Sequence, residues 1–401
     1  MHLVTTTAAD DPLRRTLIVL SAVAALAILG STMAKNPALP LLAESIGADA
    51  AQVGLIAAIS PIPGILISSF AGAYSDRKGR EKLLTPALVI FATAPFLYLF
   101  VSDPWQLIAV RFYHGFATAV FMPVAMAAVA DMYGPDRRGE KLAMYSSATM
   151  VGRFVAPFMG GTLLYLANFS SVYIACAVTG IMALALSFAV PWRGMDGHEG
   201  APRSTKGTVE SLRATVRDRR IVVTSSMEGL QYFAVGAFEA FLPLYALSLG
   251  FNGLEIGTIM GVQVVSMLVS KPFLGKLSDR RGREPSIVLG LLAGCAAIVL
   301  MPHVVGMLEL AILSTAFGIT VATVTASTSA LVSELAGRSA HGSAIGVLSS
   351  IMDVGHSAGP LATGVIVGLY SYQAGFAVAG VLLLLGAAIF TTGVWLRGTP
   401  R

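Results

Sequence analysis

Charge is scarce in this chain: Asp, Glu, Lys and Arg together make 12% of its 401 residues, about half of what a soluble domain carries. Hydrophobic residues reach 55% and the mean hydropathy is +0.75, too apolar for a water-facing surface, so a soluble globular fold is excluded. Cysteine is scarcer still. Cys176 and Cys295 lie in separate apolar stretches, which argues against a disulfide framework or a cysteine-ligated metal and leaves them as packing residues. The motifs GxxxxGKS/T, HExxH and CxxC are missing altogether. Neither nucleotide-driven nor enzymatic chemistry is signalled, and neither a cofactor nor a metal is expected.

What the chain does have is long apolar runs. Stretches of the roughly 20 residues that cross a bilayer fall near 16–43, 53–74, 84–101, 105–131, 142–166, 170–190, 221–247, 254–275, 286–304, 309–333, 343–368 and 374–396. Backbone polar groups in lipid must be satisfied within a segment, and no two-residue alternation points to a barrel, so the fold class is an all-α membrane protein. Of the 27 Lys and Arg residues, Lys35, Arg111, Arg153 and Lys271 sit inside these stretches, while the other 23 occupy the two termini and every second loop. The intervening loops carry none. By the positive-inside rule both termini and the 191–220 linker are expected in the cytoplasm, and the pI near 9.2 reports this topology rather than affinity for nucleic acid. Arg14 and Arg15 ahead of the first run imitate a secretion leader, but its counterpart at 221–247 is plainly a span, so retention is expected. The linker begins with Pro, Gly and charge and turns helix-compatible near Thr208. A surface helix with Arg213, Arg217 and Arg220 at lipid headgroups and a plain solvated connector both remain open.

The chain is also doubled. GAYSDRKGRE at 72–81 returns as GKLSDRRGRE at 275–284. The same offset pairs Pro40 with Pro243, Gly54 with Gly257, Gly115 with Gly318, Asp131 with Glu334, Gly152 with Gly355 and Pro157 with Pro360. Two homologous halves explain this.

The repeated G-x-x-S-D-R-x-G-R loop resembles the signature loop of the major facilitator superfamily, and the resemblance extends over nearly the whole chain. It implies twelve transmembrane helices arranged as two pseudo-symmetric six-helix bundles, 1–190 and 221–401, joined by the 191–220 linker around a central cavity that opens alternately to either side. In the loop, Gly72 and Gly275 allow close helix contact and Gly79 and Gly282 a tight turn. Asp76, Arg77 and Arg80, with Asp279, Arg280 and Arg283, form a charge network at the water boundary. By resemblance this network is a conformational latch. Asp76 is expected at the start of the eleventh helix near Gly342, Arg80 on Asp131 and Arg283 on Glu334, contacts that hold the outward-open state and break as the halves rock. Glu81 and Glu284 depart from the basic residue usual at that position.

Two narrower resemblances follow. Arg111, His114 and Gly115 look like the R-x-x-Q-G motif of proton-linked members, with His114 replacing the glutamine. Gly152, Ala156, Pro157, Gly160 and Gly161 look like the G-x-x-x-G-P-x-x-G-G motif of drug:proton antiporters, with Ala156 replacing a glycine, and Gly355, Gly359 and Pro360 repeat it. Small residues let helices approach, and a proline frees the carbonyl four residues back. That carbonyl belongs to Arg153 in one half and His356 in the other. Gly152, Pro157, Gly161, Gly355, Gly359 and Pro360 are therefore expected to act as hinges tied to ionisable side chains.

Ionisable residues within spans are functional candidates by default. The first half buries Lys35, Arg111, His114 and Arg153; the second buries Glu228, Glu239, Asp353 and His356. Lys271, five residues from Lys276, can snorkel to the interface and is read as structural. Helical spacing puts Glu228, Tyr232 and Glu239 on one face with Gln231 alongside, Arg111, His114 and Thr118 on another, and Asp353 next to His356, where the two can share a proton. The tenth segment adds Thr320, Thr323, Thr325, Ser327, Thr328 and Ser329. Proton coupling is assigned to Glu228, Asp353, Glu239 and His356, because a carboxyl withdrawn from water holds its proton more readily. Substrate binding is assigned to Arg111, His114, Arg153, Gln231, Tyr232 and Lys35, and a Lys35 to Glu239 pair is expected to close the outer gate. The alternative for each is a permanent salt bridge that only holds helices together.

The leading expectation is a proton-coupled antiporter of the bacterial inner membrane, functional as a monomer, exporting a small amphipathic or organic compound. Its partners are the substrate, protons and the lipid bilayer, with no nucleic acid. An importer or symporter of an organic anion is the alternative, given the cationic first half. A non-transporting sensor is a third, against which the short linker and tail leave little room for a signalling domain.

Overall fold

The computed structural model describes residues 10–64, 67, 75, 79–192 and 213–395. Among them there is no strand. The first half contains α1 (Asp10–Lys35), α2 (Ala38–Ser45), α3 (Ala50–Ala58), α4 (Glu81–Tyr98), α5 (Pro104–Met132), α6 (Pro135–Leu166) and α7 (Phe169–Ser187). The second contains α8 (Arg219–Ser248), α9 (Gly253–Arg281), α10 (Arg283–Leu300), a helical run Met307–Leu369 and α13 (Tyr372–Phe390). That run is interrupted at Gly337, whose φ of 62° lies in the left-handed region open to glycine. The part before the interruption is α11 and the part after it α12.

Two boundaries differ from the sequence reading. The first apolar stretch is one run in sequence but two helices in space, because Pro37 can neither donate to the ladder nor continue it. The tenth and eleventh stretches are joined not by a loop but through the single residue Gly337. Nine of the described helices are long and apolar enough to cross a membrane. The long helix α6 and its offset partner α12 are not among them. In α6 the ionisable residues at its start, and Arg153 within it, dilute the hydropathy; α12 carries Asp353, His356 and several serines.

The repeat is carried into local structure. Asp49 and Gln52 cap α3 reciprocally, with Gln52 N donating to Asp49 Oδ1 at 2.8 Å and Asp49 N to Gln52 Oε1 at 3.0 Å. Asn252 and Glu255 cap α9 in the same way, and Asn168 and Ser371 cap α7 and α13. Each pair is related by the offset seen in the sequence. The helices of the first half bury Leu20, Ala24, Leu88, Phe91, Phe121 and Val124 against one another. Phe238, Phe241, Phe317, Phe376 and Phe390 fill the second.

Contact between the halves follows the same symmetry. Gly54 of α3 lies against the Pro360 carbonyl and Gly364 of α12, and Gly257 of α9 lies against the Pro157 carbonyl and Gly161 of α6. A Cβ at Gly257 would stand 2.5 Å from Pro157 O and 2.8 Å from Gly161 Cα, so backbone meets backbone there. Both contacts, and the Lys35–Glu239 ion pair that joins the halves, lie toward the end whose loops lack Lys and Arg. Further toward the basic loops, Arg153 of α6 and Lys271 of α9 are exposed and Asp353 of α12 is half-buried. The space between the halves is thus closed at one end and lined by charge below the closure.

Candidate functional site

The closed end is sealed by a cross-half cluster. Lys35, the last residue of α1, donates to Glu239 Oε2 of α8 at 2.6 Å; His356 Nε2 of α12 lies 2.9 Å from the same oxygen and 3.3 Å from Lys35 Nζ. Asn36 Nδ2 donates to Glu239 Oε1 at 3.2 Å. Both carboxylate oxygens are therefore occupied. The cavity bordered by Lys35, Asn36, Glu239, His356 and Pro360 has a volume of about 10 Å³, the size of one water at most. This is a closed contact and not a binding chamber.

Next to this cluster stands Tyr232 of α8. Its ring meets His356 edge-on, 5.9 Å between centroids and 89° between planes, and the charges of Glu228, Arg153, Glu239 and Asp353 all reach it. Arg153 also acts on His356 across the halves, which places its guanidinium toward the chamber. Beside it Phe154 packs edge-on to Phe158 at 5.8 Å, and Phe158 in turn packs on Gly261 of α9. Asp353 makes no hydrogen bond or ion pair among the described residues, and His356 is engaged with Glu239 rather than with Asp353. The proton-sharing pair expected on the eleventh segment is not formed, because the helix turns His356 toward α1 and α8.

Three residues expected to line the chamber are inside the bundles instead. Arg111 is 4% exposed and lies against Tyr98, whose ring stacks on Tyr173 at 4.5 Å. His114 Nδ1 is 3.3 Å from the Tyr98 hydroxyl and its ring sits edge-on to Phe91. This face of α5 is turned into an aromatic layer from α4 and α7. Gln231 is fully buried, with Oε1 3.3 Å from where a Cβ on Gly294 of α10 would be. Glu228 is 5% exposed and bonded to the Thr328 hydroxyl of α11. That hydroxyl also donates to the Val324 carbonyl at 2.9 Å. Lys271, read from sequence as structural, is exposed with its charge in reach of Glu228.

The repeated loop builds one network in each half. Arg80 donates to Asp131 Oδ2 through Nε at 3.0 Å and Nη2 at 2.8 Å, and through Nη1 to Ser75. Arg283 donates to Glu334 Oε1 through Nε at 3.1 Å and to Ser278 Oγ at 2.8 Å, and pairs with Asp279. All of these partners belong to one half, so rocking of the halves does not break them, contrary to the expectation for a latch. Gly79 and Gly282 take φ of 93° and 103°, as a tight turn requires. Gly275 is not needed for close packing here, since its Cβ would meet Ala326 at an ordinary 3.9 Å. Arg280 is exposed. Gly72, Asp76 and Arg77 lie outside the described residues, as does most of the linker. Residues 213–217 are helical, and Asp218 caps α8.

The helices run through Pro157 and Pro360 with helical backbone. Both prolines present their own carbonyls to a glycine of the other half, while Gly152 packs on the Ala25 carbonyl of α1 and Gly355 and Gly359 on the Gly229 and Phe233 carbonyls of α8. Sequence reasoning passed over Asn36, Ser75, Ser278 and Gly364. The last three carried a signal, since Ser75 and Ser278 stand in the repeated loop and Gly364 is the offset partner of Gly161. Asn36 carried none.

A family model described as the Major Facilitator Superfamily matches residues 20–261 and again 224–401. The chain is 26% identical over 358 residues to Multidrug resistance protein MdtG of Salmonella arizonae, covering 86% of this chain and 88% of the relative. It is 25% identical over 373 residues to the protein of the same name from Enterobacter lignolyticus, covering 90% and 88%. Among solved structures, a bacterial homolog of the human lysosomal transporter Spinster, inward-facing and unoccupied, superposes with a TM-score of 0.81 at 16% identity over 95% of this chain and 96% of that one. The nucleoside transporter NupG superposes with a TM-score of 0.79 at 15% identity over 95% and 98%. At such identities the structures bear on the fold.

Proposed function

We propose that this chain, which belongs to the major facilitator superfamily and is a membrane transporter rather than an enzyme, moves small organic compounds out of a bacterial cell by proton-coupled alternating access. The observation that carries the reading is the mirrored contact of Gly54 on Pro360 and Gly257 on Pro157. Two equivalent surfaces close one end of the chamber while charged side chains stand open below. With the basic loops in the cytoplasm, the described conformation is sealed outside and open inside.

Proton coupling rests on Glu228 and Asp353. Thr328 has one hydroxyl hydrogen and faces the Glu228 carboxyl, the Val324 carbonyl and, farther off at 3.4 Å, the Thr325 carbonyl. A protonated Glu228 donates to Thr328 and leaves that hydrogen to Val324, whereas an ionised Glu228 competes for it. Protonation is thereby linked to how α8 seats on α11. Asp353, without a partner among the described residues and half-buried on the chamber wall, exchanges protons with the chamber itself. At the outer seal, Glu239 is held by Lys35, His356 and Asn36 and must release them when that end opens. The chain acts as a monomer, since both halves of the seal come from one polypeptide. Export is favoured by the relatives that carry the name multidrug resistance protein.

Uptake and efflux in proteoliposomes under pH gradients of either sign test the reading. Glu228→Gln and Asp353→Asn are expected to bind substrate and to lose pH-driven movement. Normal pH-driven transport by both variants would remove the coupling role.

A further inference from the structure

We propose that the chamber takes amphipathic organic anions, with Arg153 receiving the acidic group and Phe154 with Tyr232 receiving the apolar body. The inference rests on the transporter reading above and names the substrate class of that site.

The carboxylates are withdrawn from the chamber more fully than the cations. Both oxygens of Glu239 are occupied by Lys35, His356 and Asn36, so it has no free lone-pair direction for an incoming ammonium. Glu228 is buried against Thr328 in the second half. Asp353 alone among the described intramembrane acids keeps surface on the chamber without a partner. Two exposed cations stand on helices of opposite halves, Arg153 of α6 and Lys271 of α9. The two helices touch at Pro157 and Gly257, and from Gly261 to Lys271 the rise of α9 is about 15 Å toward the open end. Lys271 therefore stands nearer the mouth and Arg153 nearer the seal, a path of positive charge leading inward.

Counting over the membrane interior gives the same sign. Lys35, Arg111, Arg153 and Lys271 stand against Glu228, Glu239 and Asp353, and the buried Arg111 has no carboxylate partner among the described residues. A surplus cation in a low-dielectric interior favours anions over cations. The receiving surface is also amphipathic. A guanidinium offers a planar fork to carboxylate, sulfonate or phosphonate oxygens. The next residue, exposed Phe154, continues into the edge-on pair with Phe158, and Tyr232 stands within reach of the Arg153 charge across the chamber.

Two probes of matched shape and opposite charge, 1-naphthalenesulfonate and 1-naphthylmethylammonium, separate the possibilities by equilibrium dialysis against the purified full-length chain in a non-ionic detergent. The sulfonate is expected to bind the more tightly, to lose about tenfold in Arg153→Gln and less in Lys271→Gln, and to fall below the ammonium in Arg153→Glu. Size-exclusion profiles of the variants exclude misfolding, to which an exposed position is not prone. Tighter binding of the ammonium to the unaltered chain, binding of neither probe, or an unchanged order in Arg153→Glu would overturn the inference. Sulfonate preference without pH-driven flux leaves this inference standing and removes the coupling. Flux of the ammonium alone does the reverse.

Discussion

A single methyl group at Gly257 should move the whole molecule from one conformation to the other. In the described state a Cβ there would lie 2.5 Å from Pro157 O, 2.8 Å from Gly161 Cα and 3.2 Å from Gly161 N. All three atoms are backbone of α6, so no side chain can swing aside. The helices must part by roughly 1 Å to restore ordinary contact distances. Overpacking of this kind costs about 1–3 kcal/mol, and it is charged only to the state in which the halves touch at the outer end. Gly257→Ala is therefore expected to shift the balance of conformations about 5- to 150-fold toward the outward-open one. Electron–electron resonance between spin labels at Ser102→Cys and Val305→Cys, exposed outer-loop positions of the two halves, in a background with Cys176 and Cys295 replaced by Ala, would read this as a longer distance. Gly368→Ala is the control, because its Cβ meets only Ala50 Cβ at an ordinary 3.7 Å on the mirrored surface. An unchanged distance distribution in a monodisperse Gly257→Ala protein would refute the idea that backbone contact sets the closure.

Two further outcomes follow from the same geometry. Lys35→Glu and Glu239→Lys should each impair transport in proteoliposomes, and the double variant should recover part of it with a coupling energy of about 0.5–3 kcal/mol; a double variant no better than the singles combined would deny the pair a role in closure. Thr328→Val, which removes the hydroxyl facing Glu228, should lower thermal stability by about 1–3 kcal/mol and slow pH-driven flux, whereas Thr328→Ser should keep both; equal behaviour of the two would show that the hydroxyl does not matter.

Much of the fold was legible because the repeat is a fact of one dimension. An offset that aligns Asp49 with Asn252, Ser75 with Ser278, Arg80 with Arg283 and Asp131 with Glu334 reappears as the same cap and the same arginine network in both halves. The Lys35 to Glu239 contact was also anticipated, from its place one residue off that offset. The chamber was legible only in part. Spacing put Arg111 with His114 and Glu228 with Tyr232, but residues sharing a face need not meet the same surroundings. Arg111 points into the aromatic layer of Tyr98 and Tyr173, while Arg153, which had no such stripe, is the one that reaches the chamber.

Composition, the spacing of apolar runs and the doubled motif determined by themselves that this is a two-fold helical membrane protein and which glycines, prolines and charges recur, because each follows from solvent and from local backbone chemistry. Tertiary structure decided what those residues do. Partners such as Lys35 and Glu239, Glu228 and Thr328, or Gly257 and Pro157 are a hundred or more residues apart in the chain, and whether a helix turns a charge toward its own bundle, the seal or the chamber depends on which neighbour packs against it.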